Sequence, residues 1–343
     1  MIAVLVSAVL PEPRHRTPGI VHQGARTGYT VGIDVGGTKT AYGLFDGDRT
    51  LVERFEEPSD PALSAEKFLD RIVRSCRNLT ALAGLSTGDL RGIGIGMPSF
   101  VLYEEGRIVK TANLPQLCDF PARSYLMDQL GGGVRVLLDN DSHTGALAEH
   151  RHGAGRGFKH MLYCPVSTGI SSGIVINNEL FRGRYGWSGE SGHMIVTPGQ
   201  GIVCGCGNRG CLMSYCSGSM IVKHIQNKIA AGEVTMMAHL AGGVENISAC
   251  TVAEAYDLGD DMAHWALEQM ARYMAIWTYN LYQMLNINCF VFGGGLLSLG
   301  ERLFPRMRDL FDEYNRNDMP VYFKEAELGN DFGLIGAAEL LFQ

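Results

Sequence analysis

The sequence has no apolar stretch as long as a membrane-spanning helix, which needs about 20 apolar residues in succession. It also has no run of lysine and arginine, and its formal net charge is −7. An acidic chain of this kind is not expected to present a general nucleic-acid surface. The apolar start at residues 1–10 has no positive charge before it, although a secretory signal peptide begins with one. We therefore predict neither a membrane nor a nucleic-acid partner.

Two common nucleotide-binding motifs are missing as well. No Gly-Lys-Ser/Thr sequence completes a P-loop. The glycine-rich segment at 92–98, GIGIGMP, lies within a predicted strand and does not lead into a helix with an acidic residue at the required distance. A nucleotide, if bound, must be held by other parts of the chain.

The 343 residues are enough for two domains that each bury a core. Nine cysteines in a chain of this length indicate reduced thiols and hence a cytoplasmic protein. Residues 1–28 include Pro11, Pro13 and Pro18 among polar residues, and we predict a flexible leader there. An additional strand or an upstream start codon are the alternatives for this segment.

A histidine and three cysteines stand close together in the stretch 186–218. His193, Cys204, Cys206 and Cys211 have the spacing H-x10-C-x-C-x4-C, with glycines between them that permit tight turns. One imidazole and three thiolates are the closed, tetrahedral ligand set of a structural zinc site. A chance grouping or a disulfide is the alternative, but Cys204 and Cys206 are too close in sequence for an easy bridge.

The residues around this cluster suggest what the metal does. Glu190 lies three residues before His193, so both side chains can face one pocket. A metal that fixes His193 also orients Glu190, and we predict that it supports the wall of a binding pocket.

The order of predicted elements indicates a mixed α/β fold. A short strand ends at Asp34 and is followed by a hairpin, a helix that Ser64 can cap, and a buried strand at 91–98. A further strand at 134–138 leads into Asp139-Asn140-Asp141, and a helix is predicted from about Ser142 to His150. A second set of strands begins near residue 160. This order is typical of mixed α/β domains.

Three glycine-containing turns follow predicted strands, at Asp34–Lys39, Ser167–Gly173 and Gly293–Gly295. Backbone N–H groups in such turns can hold phosphate groups. One such turn is common, but three of them indicate a nucleotide bound between two domains.

Several motifs taken together resemble the ROK family of repressors, open reading frames and sugar kinases. They are DVGGTK at 34–39, Asn140-Asp141, ESGH at 190–193, the CxCGxxGCL segment at 204–212 and the glycines at 293–295. The resemblance covers roughly residues 29–343, and the combination of ExGH with CxCGxxGCL is its most specific part.

This resemblance implies two actin-like, ribonuclease-H-like α/β domains with a cleft between them, as in ASKHA-type sugar kinases. The N-terminal domain would comprise 29–138 together with about 328–343, because the C-terminal helix returns to it. The C-terminal domain would comprise 139–327 and contain the zinc knuckle.

The resemblance also assigns roles. Asp141 is the implied catalytic base, and the implied sugar-binding residues are Asn113, Asn140, Asp141, Glu190 and His193. The implied residues for ATP and Mg²⁺ are Asp34, Gly36, Gly37, Thr38, Lys39, Ser167, Thr168, Gly169, Gly293, Gly294 and Gly295. The implied ligands of a structural Zn²⁺ are His193, Cys204, Cys206 and Cys211. The implied partner is a small-molecule sugar, and family members are commonly homo-oligomers, dimers or tetramers.

Several of these residues have alternative interpretations. Asp141 lies just before a predicted helix and could be its N-cap. Asp34 could be a turn residue, and Lys39 could be solvated. The other histidines of this region, at 143, 150, 152 and 160, show no i, i+4 metal pair with an acidic partner and are interpreted as surface or core residues.

The chain departs from the family pattern at two places. Met213 stands where the family usually has a glutamate that binds a sugar hydroxyl, and a thioether is a poor acceptor for such a hydrogen bond. Ser167 and Ser171-Ser172 replace glycines of the second phosphate motif. These changes put the identity of the sugar, and to a lesser extent turnover, in question.

The resulting prediction is ATP-dependent phosphorylation of a hydroxyl of a hexose or hexose derivative, as in glucokinases and N-acetylhexosamine kinases. A degenerate kinase or a sugar-binding regulatory protein without turnover is the first alternative. A sugar-responsive repressor is the second, but such proteins carry a winged-helix domain before the kinase-like core. Residues 1–28 show neither helix-turn-helix periodicity nor a basic patch.

Overall fold

A computed structural model describes residues 28–111 and 113–343 of the chain. The first seven strands are β1 (Tyr29–Val35), β2 (Lys39–Phe45), β3 (Leu51–Pro58), β4 (Leu90–Met97), β5 (Ser99–Leu102), β6 (Arg107–Thr111) and β7 (Val136–Asn140). Five of them form a sheet of order β3-β2-β1-β4-β7, and β5 pairs with β6 in a hairpin. Strands β1, β2 and β3 are antiparallel neighbours, whereas β4 and β7 run parallel to β1.

The remaining strands are β8 (Met161–Pro165), β9 (Gly173–Ile176), β10 (Glu179–Leu180), β11 (Cys289–Gly293) and β12 (Tyr322–Glu325). They form a second sheet of order β10-β9-β8-β11-β12. Its first three strands are antiparallel, and β11 and β12 run parallel to β8. The second sheet therefore repeats the order and directions of the first, as expected for two ribonuclease-H-like units.

The described α-helices are α1 (Ala65–Leu82), α2 (Ala122–Leu130), α3 (Asp141–His152), α4 (Met213–Cys216), α5 (Gly218–Ala230), α6 (Met237–Leu240), α7 (Ala249–Asp257), α8 (Asp261–Leu285), α9 (Phe304–Tyr314) and α10 (Phe332–Glu339). None of them has the length and hydrophobicity that would be needed to cross a bilayer. Helix α1 begins as predicted, because Ser64 Oγ accepts a hydrogen bond from the backbone N–H of Lys67.

Each sheet packs against its own helices. The first sheet shares a core with α1 and α2, in which Phe68 and Leu79 are almost fully buried. The second shares a core with α8, in which Trp277 is fully buried. Burial of one large apolar side chain contributes about 1.5–3 kcal/mol to stability, so each core gives its own sheet substantial support.

The last helix returns to the first sheet, as the resemblance implies. Helix α10 packs across β1 and β4, and glycines in both strands make this close approach possible. A methyl group on Gly32 would lie 2.1 Å from the carbonyl oxygen of Leu334, and one on Gly94 would lie 1.7 Å from that of Ala337. The glycines of the GIGIG segment therefore serve helix packing, which agrees with its rejection as a nucleotide-binding motif.

Helix α3 lies between the two sheets and contacts β4 and β7 of the first and β8 and β9 of the second. Its N-terminus follows β7, whose carboxyl end lies at the same sheet edge as the ends of the parallel strands β1 and β4. Gly173 of β9 packs directly on its first turn, since a methyl group there would lie 2.2 Å from the carbonyl oxygen of Ser142. The start of α3 is therefore held by both halves of the chain.

Candidate active site

The start of α3 presents Asn140 and Asp141 together. Asn140 has extended backbone angles, and its Oδ1 accepts a hydrogen bond of 2.9 Å from the N–H of Ser142. Its Nδ2 donates to the carbonyl oxygen of Ser99 at 3.2 Å. Asn140 is thus the N-cap and Asp141 is the first helical residue, so the alternative that Asp141 caps this helix is wrong. The Asp141 carboxylate still accepts a hydrogen bond of 2.8 Å from the N–H of Ser142.

Three carboxyl groups from separate parts of the chain influence one another at this position. Burial raises the pKa of Asp141 above its usual range. Burial, and then the nearby charge of Asp141, raise the pKa of Asp34 to about 6. The same two causes, in the same order, raise the pKa of Glu190. Asp34 and Glu190 are therefore both within electrostatic range of Asp141, and the three form one acidic site that favours a cation or a proton.

The first glycine turn joins β1 to β2 beside this acidic site. The N–H of Gly36 donates to the carbonyl oxygen of Lys39 at 2.8 Å, which closes the turn. Asn113 lies against it, since a methyl group on Gly37 would be 3.0 Å from Asn113 Cβ. Lys39 points elsewhere: its Nζ lies 3.1 Å from both carboxylate oxygens of Glu56. Thr38 is exposed in the same turn.

The second and third turns lie side by side at the ends of β8 and β11. The N–H of Ser167 donates to the carbonyl oxygen of Gly169 at 2.9 Å. Gly294 has a φ of 89° and packs on Val166, whose carbonyl oxygen would lie 2.5 Å from a methyl group there. The next residue, Gly295, faces the Ser167 hydroxyl. The two turns therefore form one continuous surface.

This surface lines a cavity of about 420 Å³. The lining residues are Ser167, Thr168, Gly218, Ser219, Val222, Ile247, Ser248, Ala249, Gly295 and Leu296. The starts of α5 and α7 contribute to it, and sequence reasoning missed both. The Ser-Gly-Ser segment at 217–219 and the helix-capping Ser248 were the available signals, because both precede helices.

Met213, the departure from the family pattern, lies next to the second turn. A methyl group on Gly169 would be 3.6 Å from Met213 Cε. Met213 begins α4, two residues after Cys211. The apolar side chain therefore reaches the turn predicted to bind phosphate from a helix that begins just after the histidine–cysteine cluster.

The structure brings the histidine and three cysteines together. One ligand atom from each of His193, Cys204, Cys206 and Cys211 lies within 4.8 Å of all the others. His193 Nδ1 is 3.5 Å from Cys204 Sγ, and the sulfurs of Cys206 and Cys211 are 3.6 Å apart. All the cysteines are free thiols, so the disulfide alternative is wrong. Burial lowers the pKa of His193, which favours the neutral ring that a metal ligand requires.

The two nitrogens of the His193 ring face different partners. Nδ1 faces the thiols, whereas Nε2 lies 4.0 Å from Glu190 Oε2. A short 3₁₀ turn at Ser191–His193 connects the two residues. The ring therefore links the cluster to the acidic site, as the three-residue spacing suggested.

Sequence reasoning missed a buried group behind Asp141. His143 is the third residue of α3 and is fully buried, in agreement with its interpretation as a core residue, and it contacts Asp139 four residues earlier. Arg182, from the segment after β10, contacts the other oxygen of the same carboxylate. The four-residue spacing of Asp139 and His143 is visible in the sequence, but the spacing alone does not reveal their contact with Arg182.

The ROK family model matches residues 30–343. The chain belongs to the ROK family. It is 31% identical over 315 residues to a glucokinase of Halalkalibacterium halodurans, covering 91% of this chain and 94% of that one.

Two solved structures of family members resemble this ROK protein. A ROK hexokinase from Thermus thermophilus has a TM-score of 0.77 at 30% identity, covering 90% of this chain and 96% of that one. A ROK glucokinase from Streptomyces griseus, solved with glucose and AMPPNP, has a TM-score of 0.75 at 29% identity, covering 91% and 99%. Together with the two sheets of equal order, this similarity confirms the predicted actin-like, two-domain α/β fold.

Proposed function

We propose that this ROK protein transfers the γ-phosphoryl group of ATP to a hydroxyl of a hexose or hexose derivative. The observation that carries the proposal is that the charge of Asp141 raises the pKa of both Asp34 and Glu190, after burial, at the sheet edge where β1 leads into the predicted phosphate-binding turn. The similarity to a glucokinase over nine-tenths of the chain supports it.

Asp141 is the proposed base. As the oxygen of the sugar hydroxyl bonds to phosphorus, its proton passes to the Asp141 carboxylate, and ADP leaves with the electrons of the broken P–O bond. Burial raises the pKa of Asp141, which makes the carboxylate a better proton acceptor, while the Ser142 N–H holds it in place. Glu190 and Asn140 are the proposed hydrogen-bond partners of the other sugar hydroxyls, with His193 and Asn113 beside them.

The cavity beside the second and third turns is the proposed adenosine site. Its volume of about 420 Å³ lies within the range of ligand pockets, roughly 300–1,000 Å³. The backbones of Ser167–Gly169 and Gly293–Gly295 would hold the phosphates from that side, and Gly36–Thr38 from the other. Lys39 would have to leave Glu56 to reach them.

Asp34 is the residue that would hold Mg²⁺. Its buried carboxyl group, with a pKa of about 6, is ionised for the most part at neutral pH and lies in an acidic site that a divalent cation would neutralise. When bound, the ion would supply positive charge that compensates the charge of the phosphate groups. Asp34 keeps its place because it packs on Gly333 of α10, where a methyl group would lie 2.5 Å from Asp34 Cγ.

The histidine–cysteine cluster fits a structural Zn²⁺. Zinc–sulfur bonds of about 2.3 Å in a tetrahedron separate two sulfurs by about 3.8 Å. The observed 3.6 Å between Cys206 and Cys211 is close to that separation. A metal here would fix the His193 ring and, through it, the position of Glu190.

The location and the oligomeric state remain predictions. Reduced thiols agree with the predicted cytoplasmic location, and the homo-oligomer stays a prediction.

A coupled assay of ADP release across a panel of hexoses and N-acetylhexosamines tests the function. We expect sugar-dependent turnover with at least one of them. Measurable sugar binding with no ADP release from any sugar would instead support the alternative of a sugar-binding protein without turnover.

The Met213→Glu variant tests the departure from the family pattern. We expect the ratio of kcat/KM between different sugars to change by about tenfold or more. The reason is that a carboxylate that accepts a hydrogen bond from a sugar hydroxyl discriminates between sugars far better than a thioether does. The KM for ATP should change less. Met213→Leu, which keeps an apolar side chain, is the matched control and should preserve the ranking. Equal effects of Met213→Glu on all sugars would contradict this assignment.

A further inference from the structure

A buried carboxylate close to Asp141 in the sequence contacts both a buried imidazole and a partly buried guanidinium. Asp139 is fully buried at the end of β7. Its Oδ1 lies 2.7 Å from His143 Nδ1 and also accepts from the N–H of Asn140 at 2.8 Å. Its Oδ2 accepts from Arg182 Nε at 2.7 Å. The other ring nitrogen of His143, Nε2, is 3.0 Å from the carbonyl oxygen of Ser188.

These contacts determine the protonation of the His143 ring. A carbonyl oxygen only accepts hydrogen bonds, so Nε2 must carry a proton toward Ser188. The Ser188 hydroxyl also lies 3.4 Å from Nε2, but it donates its own proton to the carbonyl oxygen of Phe181. The Asp139 carboxylate already accepts from a backbone N–H and from an arginine, which keeps it ionised, so Nδ1 must carry a proton as well. A ring with both nitrogens protonated is an imidazolium cation. His143 is fully buried, so water does not replace either partner.

The partners of this ring belong to two separate parts of the site. Asp139 and His143 flank Asp141 in sequence, at the junction of β7 and α3. Arg182 and Ser188 belong to the segment 181–189, which leads directly into Glu190. The two hydrogen bonds of the ring and the ion pair of Arg182 therefore join the element that carries Asp141 to the segment that carries Glu190.

We propose that His143, as a buried imidazolium, is a positioning residue that sets the placement of Glu190 relative to Asp141 and so determines sugar affinity. This inference rests on the proposed function for its link to sugar, but the charge and contacts of the ring do not depend on turnover. His143 touches neither reacting group, and it acts through Asp139 and Ser188.

The charged groups around the ring predict its response to pH. Asp139, Arg182, Asp141 and Glu190 face it, and its positive charge opposes the rise in pKa of both Asp141 and Glu190. Burial disfavours the charged ring, but Asp139 outweighs burial and the pKa of His143 lies above its usual range. The cation is therefore favoured below that raised pKa and is lost as the pH rises through it. We expect the KM for sugar to increase as the ring loses its charge.

The first test is independent of catalysis. In the full chain labelled with ¹⁵N-histidine, the nitrogen shifts of His143 should be those of a doubly protonated ring at neutral pH. His150, on the same helix, has a carbonyl partner at Phe158 but no contact with a carboxylate, and its pKa is lowered by burial. It should therefore be neutral under the same conditions. A neutral His143 ring would overturn the proposal.

The second test uses two matched variants. His143→Gln can still donate to Ser188 but cannot be a cation, and we expect the KM and the equilibrium dissociation constant for sugar to rise by about tenfold to a hundredfold, as for a misplacement of about 1 Å. The KM for ATP should change little, and the rise in sugar KM with deprotonation of His143 should disappear. In His150→Gln, the KM and the dissociation constant for sugar should equal those of the unsubstituted protein. Unaltered sugar binding in His143→Gln would overturn the proposal, whereas absence of turnover in the unchanged chain would overturn only the proposed function.

Discussion

Replacing Asp141 with asparagine is expected to lower kcat for sugar phosphorylation by about 10²–10⁴-fold, the contribution of a positioned general base. The amide has the same shape and can still accept the hydrogen bond from Ser142, but it cannot take the hydroxyl proton. Sugar affinity should change far less than kcat, because the hydrogen-bonding geometry of the pocket is preserved. The measurement is steady-state ADP release together with equilibrium sugar binding.

Asp261→Asn is the matched control for this variant. Asp261 is the first residue of α8, as Asp141 is of α3, so both substitutions remove one negative charge from a helix N-terminus. Asp261 is exposed and belongs to none of the site elements described above. We expect its kcat to be unchanged. A kcat for Asp141→Asn close to that of the control would exclude Asp141 as the base.

Removing one thiol of the histidine–cysteine cluster is expected to have the second large effect. Cys211→Ala should abolish stoichiometric zinc, lower the melting temperature and weaken sugar binding, because His193 and Glu190 lose their fixed support. A structural zinc site contributes directly to folding free energy, so these losses should occur together. Metal analysis of the purified protein should give about one zinc per chain before the substitution and almost none after it.

Cys216→Ala separates the metal from simple packing. Cys216 is fully buried, as Cys211 is, and lies five residues further along, but it is not part of the cluster. Each variant deletes one sulfur atom from a buried position. Cys216→Ala should nevertheless retain zinc and sugar binding, and it should lose only the free energy of unfolding that the small cavity costs. Equal zinc content in the two variants would show that Cys211 is not a metal ligand.

The cluster and the glycine turns could be predicted from the sequence because their chemistry depends on local spacing. Three thiols and an imidazole within 19 residues have few other uses, and glycine is required wherever the backbone turns sharply, as at Gly294 with its φ of 89°. The acidic partner of His193 could be predicted for the same reason, since Glu190 is only three residues away.

Contacts between distant segments could not be predicted in this way. Lys39 pairs with Glu56 because β2 and β3 are antiparallel neighbours in a particular register. Arg182 follows β10 of the second sheet and contacts Asp139 of the first, 43 residues earlier in the chain. The N-cap of α3 was also ambiguous, because Asn140 and Asp141 are both favourable caps and helix ends vary by a residue or two. Only the backbone angles of Asn140 distinguish them.

A crystal structure with an unphosphorylated hexose substrate and a non-hydrolysable ATP analogue tests the central claim most directly. We expect one hydroxyl oxygen of the sugar to lie about 2.6–3.2 Å from a carboxylate oxygen of Asp141, within hydrogen-bond reach. Glu190 should bind the same ring, and the triphosphate should rest on the glycine turns. A sugar that contacts only one of these two carboxylates, or a nucleotide bound away from the turns, would contradict it.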